Sequence, residues 1–212
     1  MLGEFGYFKN WKIGNWEKRD NPGLVTRFFP QSSIDHFQFS NFSNFQIIPM
    51  DVRMISKEDL WQIRELAIRI FPVTYQDIVE APQIDYMMEM FYTQENLIRQ
   101  FESGQQFLII YHEGNAAGYA SYTPLNSSGN YKLNKIYLDT QLQGMGLGRI
   151  LLNDVISRLK ATGAKSLQLN VNRHNKAVGF YKNMGFFVKK EELLDIGNGY
   201  FMDDFVMELN LY

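Results

Sequence analysis

Apolar and polar positions follow two different rhythms along this chain, and each change of rhythm marks an element. A strand is predicted over about 51–55. Then Leu60, Ile63, Leu66, Ala67 and Ile70 recur every three or four residues, which predicts a helix with one apolar face, opened by Ser56 or Asp59. A second helical stretch is predicted over about 83–102, broken near Thr93-Gln94. Strands are predicted near 106–112 and 116–124 with a Gly114-Asn115 turn between them, and over 131–138. Helical spacing returns over 147–162, followed by a strand at 166–171, a helix at 175–184 and closing strands near 186–194 and 201–210. The order predicts an α/β (α+β) fold: a mixed, mostly antiparallel central sheet flanked by helices.

Residues 1–49 hold neither rhythm for long. They are crowded with Phe, Asn and Ser, and Phe37, Phe39, Phe42 and Phe45 do not keep one strand face. Two readings stand side by side. One is an aromatic arm that docks on the domain or on a dimer mate. The other is an extension upstream of a working start at Met50 or Met54. The expected organisation is therefore an N-terminal extension over 1–49 and one domain over 50–212.

Chemistry concentrates where a strand pattern breaks into glycines and a helix pattern opens, at Gln143-Gly144-Met145-Gly146-Leu147-Gly148-Arg149. Such a junction presents unpaired backbone N–H groups at the positive end of a helix, which suits a phosphate. Glycine lets the backbone approach a ligand where a Cβ would clash. A Walker loop would need Lys-Ser or Lys-Thr after the last glycine, and Arg149-Ile150 stands there. The dinucleotide pattern G-x-G-x-x-G fails too, because the third glycine comes one residue early.

Read as Q/R-x-x-G-x-G/A, with Gln143, Gly146 and Gly148, the loop resembles the pyrophosphate loop of the GCN5-related N-acetyltransferases, the GNAT superfamily. Downstream, Val171-Asn172, Asn175, Ala177, Phe180-Tyr181 and Gly185-Phe186 follow in the order that superfamily uses. The segment between Asn175 and Ala177 is one residue shorter than the commonest form. Softer similarities, in 71–75, 86–91, 118–119, 136–138 and 196–207, resemble the branch that acetylates spermidine and spermine in bacteria. The resemblance implies a GNAT fold, with strands 131–138 and 166–171 running parallel and splaying apart around a pantetheine slot.

It also implies acetyl-CoA as cofactor and direct transfer of acetyl to an amine in a ternary complex. Backbone N–H groups of Gln143, Gly144, Met145, Gly146, Leu147, Gly148 and Arg149 would hold the pyrophosphate. Ile136, Tyr137 and Leu138 would pair with pantetheine, the Leu138 N–H facing the developing oxyanion. Such a preorganised donor is worth roughly 3–4 kcal/mol. Tyr181 would protonate the departing thiolate, a transfer uphill by about 2 kcal/mol for an ordinary phenol; the plainer reading is a core aromatic. Asn175 could touch the cofactor, cap a helix, or do both.

The base is not evident. An ammonium near pKa 10.4 costs about 4.6 kcal/mol to deprotonate at pH 7. Relatives often carry glutamate where Asn134 stands, so a water chain, Glu89 or Asp204 would have to substitute. Tyr75 and Tyr86 complete the candidate substrate residues. Asp203-Asp204 and Asp85 with Glu89 could attract a polycation or be ordinary solvated charge.

Composition narrows the partners. With no cysteine there is no disulfide, thiolate metal site or cysteine nucleophile, and no metal site is expected. A net charge of −2 argues mildly against nucleic acid and for a cationic substrate. No apolar run is long enough to span a membrane, and residues 1–20 lack the order of a secretory signal, so a cytoplasmic location is expected. Three functions remain open: acetylation of a small-molecule primary amine such as a polyamine; acetylation of a protein N-terminus; and a catalytically silent acetyl-CoA-binding module. A homodimer is compatible with all three.

Overall fold

Each element predicted beyond residue 50 is present in the computed structural model, which describes residues 50–212. Both readings of residues 1–49 lie outside the described residues. The strands are β1 (Met50–Met54), β2 (Gln106–His112), β3 (Asn115–Pro124), β4 (Asn130–Leu138), β5 (Ser166–Asn172), β6 (Phe187–Gly197) and β7 (Tyr200–Asn210). They form one sheet in the order β1-β2-β3-β4-β5-β7-β6, and β4–β5 is its parallel pair. The helices are α1 (Leu60–Tyr75), α2 (Ala81–Tyr92), α3 (Gln94–Glu102), α4 (Leu147–Ala161) and α5 (Ala177–Asn183).

The second helical stretch is two helices because Thr93 is extended and its hydroxyl accepts from the Asn96 N–H at 3.2 Å, starting α3 afresh. Likewise α5 begins later than predicted. Asn175 is spent on an Asx turn, its side-chain oxygen accepting from the Ala177 N–H at 2.8 Å.

Helices cover both faces. On one side α1 buries Leu60, Ile63, Leu66, Ala67, Ile70 and Phe71, together with residues of α2, α3 and the sheet. On the other, α4 buries Leu147, Leu151, Leu152, Val155 and Leu159 against Leu108, Leu133, Leu167 and Leu169. Each such side chain contributes roughly 1.5–3 kcal/mol. Strand β2 feeds both layers, Phe107 and Ile109 to one and Leu108 and Ile110 to the other, so its apolar run does not alternate with polar residues.

Two irregularities shape the centre. The β4–β5 ladder ends at Leu133↔Leu169, so the two strands part beyond that point. On the other edge of β4, Leu133 pairs with Tyr122 but Lys135 pairs with Ser121, leaving Asn134 as an extra residue in a β-bulge. The bulge changes the facing of everything after it. Leu133 packs on the α4 side, whereas Lys135 is buried on the other, donating to Gln100 at 2.8 Å with its ammonium over Phe91 and Tyr92. Burial alone lowers the Lys135 ammonium to about 7.

Candidate active site

The slot opens between the parted halves of β4 and β5. Beyond Leu133, Lys135–Leu138 keep β3 on one edge and, among the described residues, have no strand partner on the β5 side. At its end, Asp139 fixes the exit. Its carboxylate caps the short 3-10 turn Thr140–Leu142 through the Gln141 N–H at 3.0 Å and pairs with Arg69 of α1 at 3.2 Å. The chain then reaches Gln143, exposed and extended, and enters the glycine loop.

Gly144 and Gly146 have φ of +85° and +82°, and a Cβ on either would meet open space. Backbone conformation, not crowding, demands glycine at both. Gly146 is also the N-cap of α4, with no side chain capping it. Among the described residues no carbonyl accepts from the N–H groups of Gly144, Met145 or Gly146, and those of Leu147 and Gly148 are first-turn donors. The loop is exposed. Gly148 answers to crowding instead: its Cβ would lie 3.0 Å from the Leu138 side chain and 3.7 Å from the Phe180 ring, where β4, α4 and α5 meet. Arg149 lies exposed on the first turn of α4, its N–H donating to Gly146. Such unpaired donors at the start of a helix suit an anion such as a pyrophosphate. Gly146→Ala puts a Cβ at positive φ and raises the Kd for coenzyme A about tenfold by isothermal titration; unchanged affinity would remove the loop from the site.

Around the slot, phenols from three elements converge. Tyr75 at the end of α1 and Tyr137 on β4 share a hydroxyl–hydroxyl hydrogen bond of 3.1 Å. Tyr181 of α5 is buried between Phe180 and Phe186 and lies within electrostatic reach of Tyr75. Burial first, then Tyr75, raises its phenol above the ordinary range, so it is a weaker acid here than the value used above. The 2 kcal/mol expected for proton transfer is therefore a lower bound.

Asp204 of β7 lies on the α1 side of the sheet, within electrostatic reach of Tyr75. It is 1% exposed, and among the described residues neither carboxylate oxygen has a hydrogen-bond partner. The Asn170 amide, near enough to hold its pKa down a little, donates instead to Glu192 at 3.1 Å. Desolvation dominates and carries the carboxyl up to about 6, with Lys132 pulling the other way and Asp203 and Glu192 adding to the rise. Its field reaches Tyr75. Asp203, one residue earlier, faces the opposite side and is paired with Arg173 at 2.5 Å. An unpaired buried carboxylate costs stability, and such costs gather where a ligand is bound.

The other sequence candidates are placed differently. Glu89 is exposed on α2, with its carbonyl accepting from Asn96. Tyr86 donates to the Ile196 carbonyl at 2.8 Å, and Gln83 to the Phe201 carbonyl at 2.9 Å, so α2 is tied to the β6–β7 hairpin. Asn134 spends its amide on Thr123 at 3.0 Å. The structure thus places Asp204 and Tyr181 each within electrostatic reach of Tyr75, which is bonded to Tyr137, and leaves Glu89 in solvent. Sequence reading missed Lys132 and Asn170. Their signal was present, because both stand on the polar-facing positions of strands whose other face is Leu133, Leu169 and Val171.

Residues 73–201 match the family described as the acetyltransferase (GNAT) domain. The chain belongs to that family. Among curated GNAT relatives, 70 residues are 37% identical to the peptidyl-lysine N-acetyltransferase YjaB of Escherichia coli, over 32% of this chain and 44% of YjaB, less than half of that protein's length. Among solved structures, the chain is similar to the PaiA N-acetyltransferase of Thermoplasma acidophilum in complex with coenzyme A, with a TM-score of 0.64 and 24% identity over 77% of this chain and 99% of that one. It is also similar to the acetyltransferase YncA of Salmonella typhimurium with acetyl-CoA, at a TM-score of 0.55 and 22% identity over 77% and 94%. These two likenesses bear on the GNAT fold. Among the described residues no helix is long and apolar enough to cross a membrane, and no group of His, Asp or Glu could hold a metal ion.

Proposed function

We propose that this protein transfers the acetyl group of acetyl-CoA to a primary amine, with a small molecule such as a polyamine as the favoured acceptor class. The observation that carries the reading is Asp204, a buried carboxylate with no donor among the described residues, within electrostatic reach of Tyr75, which in turn is bonded to Tyr137 and reaches Tyr181. An ammonium complements that carboxylate in charge and in hydrogen bonding.

Acetyl-CoA supplies an activated thioester. The backbone N–H groups of 143–149 hold its pyrophosphate, and the free edge of Ile136, Tyr137 and Leu138 aligns its arm. Asp204 draws the acceptor ammonium in, then takes its proton directly or through water. Leu138 donates its N–H to the oxygen on which negative charge develops. The freed amine attacks the thioester carbonyl; as the C–S bond breaks, Tyr181 delivers a proton to the sulfur, and the second proton lost by the nitrogen returns through water to the phenolate. Asn175 holds the Ala177 N–H in its Asx turn at the start of α5, the helix that carries Tyr181.

The link from α2 to the β6–β7 hairpin through Gln83 and Tyr86 closes one side of this face, which favours an amine on a slender chain over a polypeptide N-terminus. A lysine side chain is also such an amine, and the similarity to a peptidyl-lysine acetyltransferase supports it as the second acceptor class.

Thiol release from acetyl-CoA is to be measured with spermidine, spermine, amino sugars, amino acids and lysine peptides. Turnover with one amine class supports the reading and names the acceptor. Tight binding of acetyl-CoA without turnover on any amine would leave a silent binding module. With the preferred amine, kcat/KM rises through an acid limb with an apparent pKa of about 6, because Asp204 works as its anion. A profile flat from pH 5 to 7 would remove Asp204 from this role.

A further inference from the structure

We propose that Tyr75, Tyr137 and Gly118 are positioning residues, which together hold the Leu138 N–H where the oxyanion develops. Their role builds on the reading of Leu138 as the oxyanion donor.

The direction of that N–H follows from the ladder. Asp139 donates its N–H to the Ala117 carbonyl of β3 at 2.9 Å. Backbone groups alternate along an antiparallel strand, so Leu138 turns its N–H away from β3, toward the side where β5 has parted from β4. A donor aimed at a reacting atom needs firm support, since a misplacement of about 1 Å can cost roughly 10²-fold in rate.

From behind, the support is Gly118, which stands opposite Leu138. Its φ is not positive, so room and not conformation demands glycine here. A Cβ would run into the Tyr137 carbonyl oxygen and the Leu138 side chain, and would lie 3.1 Å from the Leu138 Cα. The first and last of these atoms belong to the planar unit that carries the Leu138 N–H, so relieving the clash moves the donor.

On the α1 side the support is a hydroxyl pair. Tyr137 and Tyr119 stand opposite each other on β4 and β3, and each phenol reaches one on a helix. Tyr137 meets Tyr75 at the end of α1 at 3.1 Å, and Tyr119 meets Tyr92 at the end of α2 at 2.9 Å. Tyr75 is itself fixed. Its ring lies 4.6 Å from that of Phe71, and its carbonyl accepts from the Ile78 and Val79 N–H groups at 2.8 and 3.1 Å. Burial raises all four phenols, so both pairs stay protonated through neutral pH. The Tyr75–Tyr137 bond thus ties β4 to a helix one residue before the donor.

Tyr137→Phe should lower kcat for the preferred amine about tenfold and leave the KM for acetyl-CoA within about twofold, because a displaced oxyanion donor is felt in the transition state. Tyr75→Phe should do the same, and the double variant should be no worse than either, since both remove one bond. The acid limb of kcat/KM should keep its wild-type position in all three, which separates positioning from proton transfer. Each single variant should melt no more than about 2–4 °C lower, as for one lost hydrogen bond. Gly118→Ala should cost more in both kcat and melting temperature. Full kcat in both single variants beside an active wild type would overturn the inference, as would additive losses or a shifted limb. A wild type inactive on every amine would remove the functional reading instead. The assigned Leu138 amide resonance of isotope-labelled protein with coenzyme A then decides: a sharp wild-type peak that broadens or splits in Tyr137→Phe supports the hold on Leu138, and an unchanged peak overturns it.

Discussion

Asp204→Asn lowers kcat/KM for the preferred amine at least about 100-fold and, above pH 6, makes the folded protein more stable. Both effects come from the same missing donor. General acid–base groups contribute typically 10²–10⁴-fold, and the amide can neither take a proton nor neutralise an ammonium. For stability the sign is set by the raised pKa. The folded state holds the Asp204 proton up to about pH 6, the unfolded chain only to about 3.8. The carboxyl therefore costs nothing below the unfolded value, and stability falls as pH rises through the folded one. Full ionisation costs at most about 3 kcal/mol by that difference. Thermal melts at pH 5 and pH 8 read it directly: the variant gains at pH 8 and the gain shrinks at pH 5. A variant that keeps its activity, or that melts lower at pH 8, would show Asp204 to be a structural group with a donor supplied by solvent.

Tyr181→Phe lowers kcat about 100-fold and leaves the affinity for acetyl-CoA and the melting temperature nearly unchanged. Among the described residues the Tyr181 hydroxyl forms no hydrogen bond within the protein, so its removal orphans nothing. The ring, packed on Phe180 and Phe186, is kept. Tyr181→Leu separates the two roles, since it loses ring packing as well and should melt lower. If Phe retains full kcat while Leu loses it, the tyrosine is a packing residue and the sulfur takes its proton from water. Because burial raises this phenol, the wild-type rate should also show no alkaline limb from its ionisation below about pH 10.

The elements beyond residue 50 fall within a few residues of their predicted places: the helices because each lays an apolar stripe on the sheet, and the strands because they are short runs of strand formers bounded by turn residues, even β2, whose two faces are both buried. The glycine loop was legible for a different reason: positive φ at Gly144 and Gly146 admits few other residues, so the geometry is written in the composition. The acid centre was not. Asp203 and Asp204 read as one acidic pair, yet adjacent strand residues face opposite ways, and Arg173 serves only the first of them. Which carboxylate lacks a donor depends on side chains from β5 and β6 that are distant in sequence. Lys135 escaped for the same kind of reason, as the bulge beside it turns a nominally polar-strand lysine onto Phe91 and Tyr92.

The single surplus residue at Asn134 acts like a frameshift in the sheet. Upstream of it β4 counts its faces in one phase, and downstream in the other, so Ile136 and Leu138 pack against the α4 layer while Tyr137 meets Tyr75. Excising Asn134 would leave an unbroken ladder, Leu133 against Tyr122 and Lys135 against Ser121, with every side chain of β4 on its present face. Straightening the strand at its present length, with Asn134 opposite Ser121, would instead send Lys135 into the α4 layer and carry the Tyr137 hydroxyl away from its partner. The spare residue is what lets a strand of this length serve both layers, so variation among natural sequences should be read in β4 by count before it is read by identity.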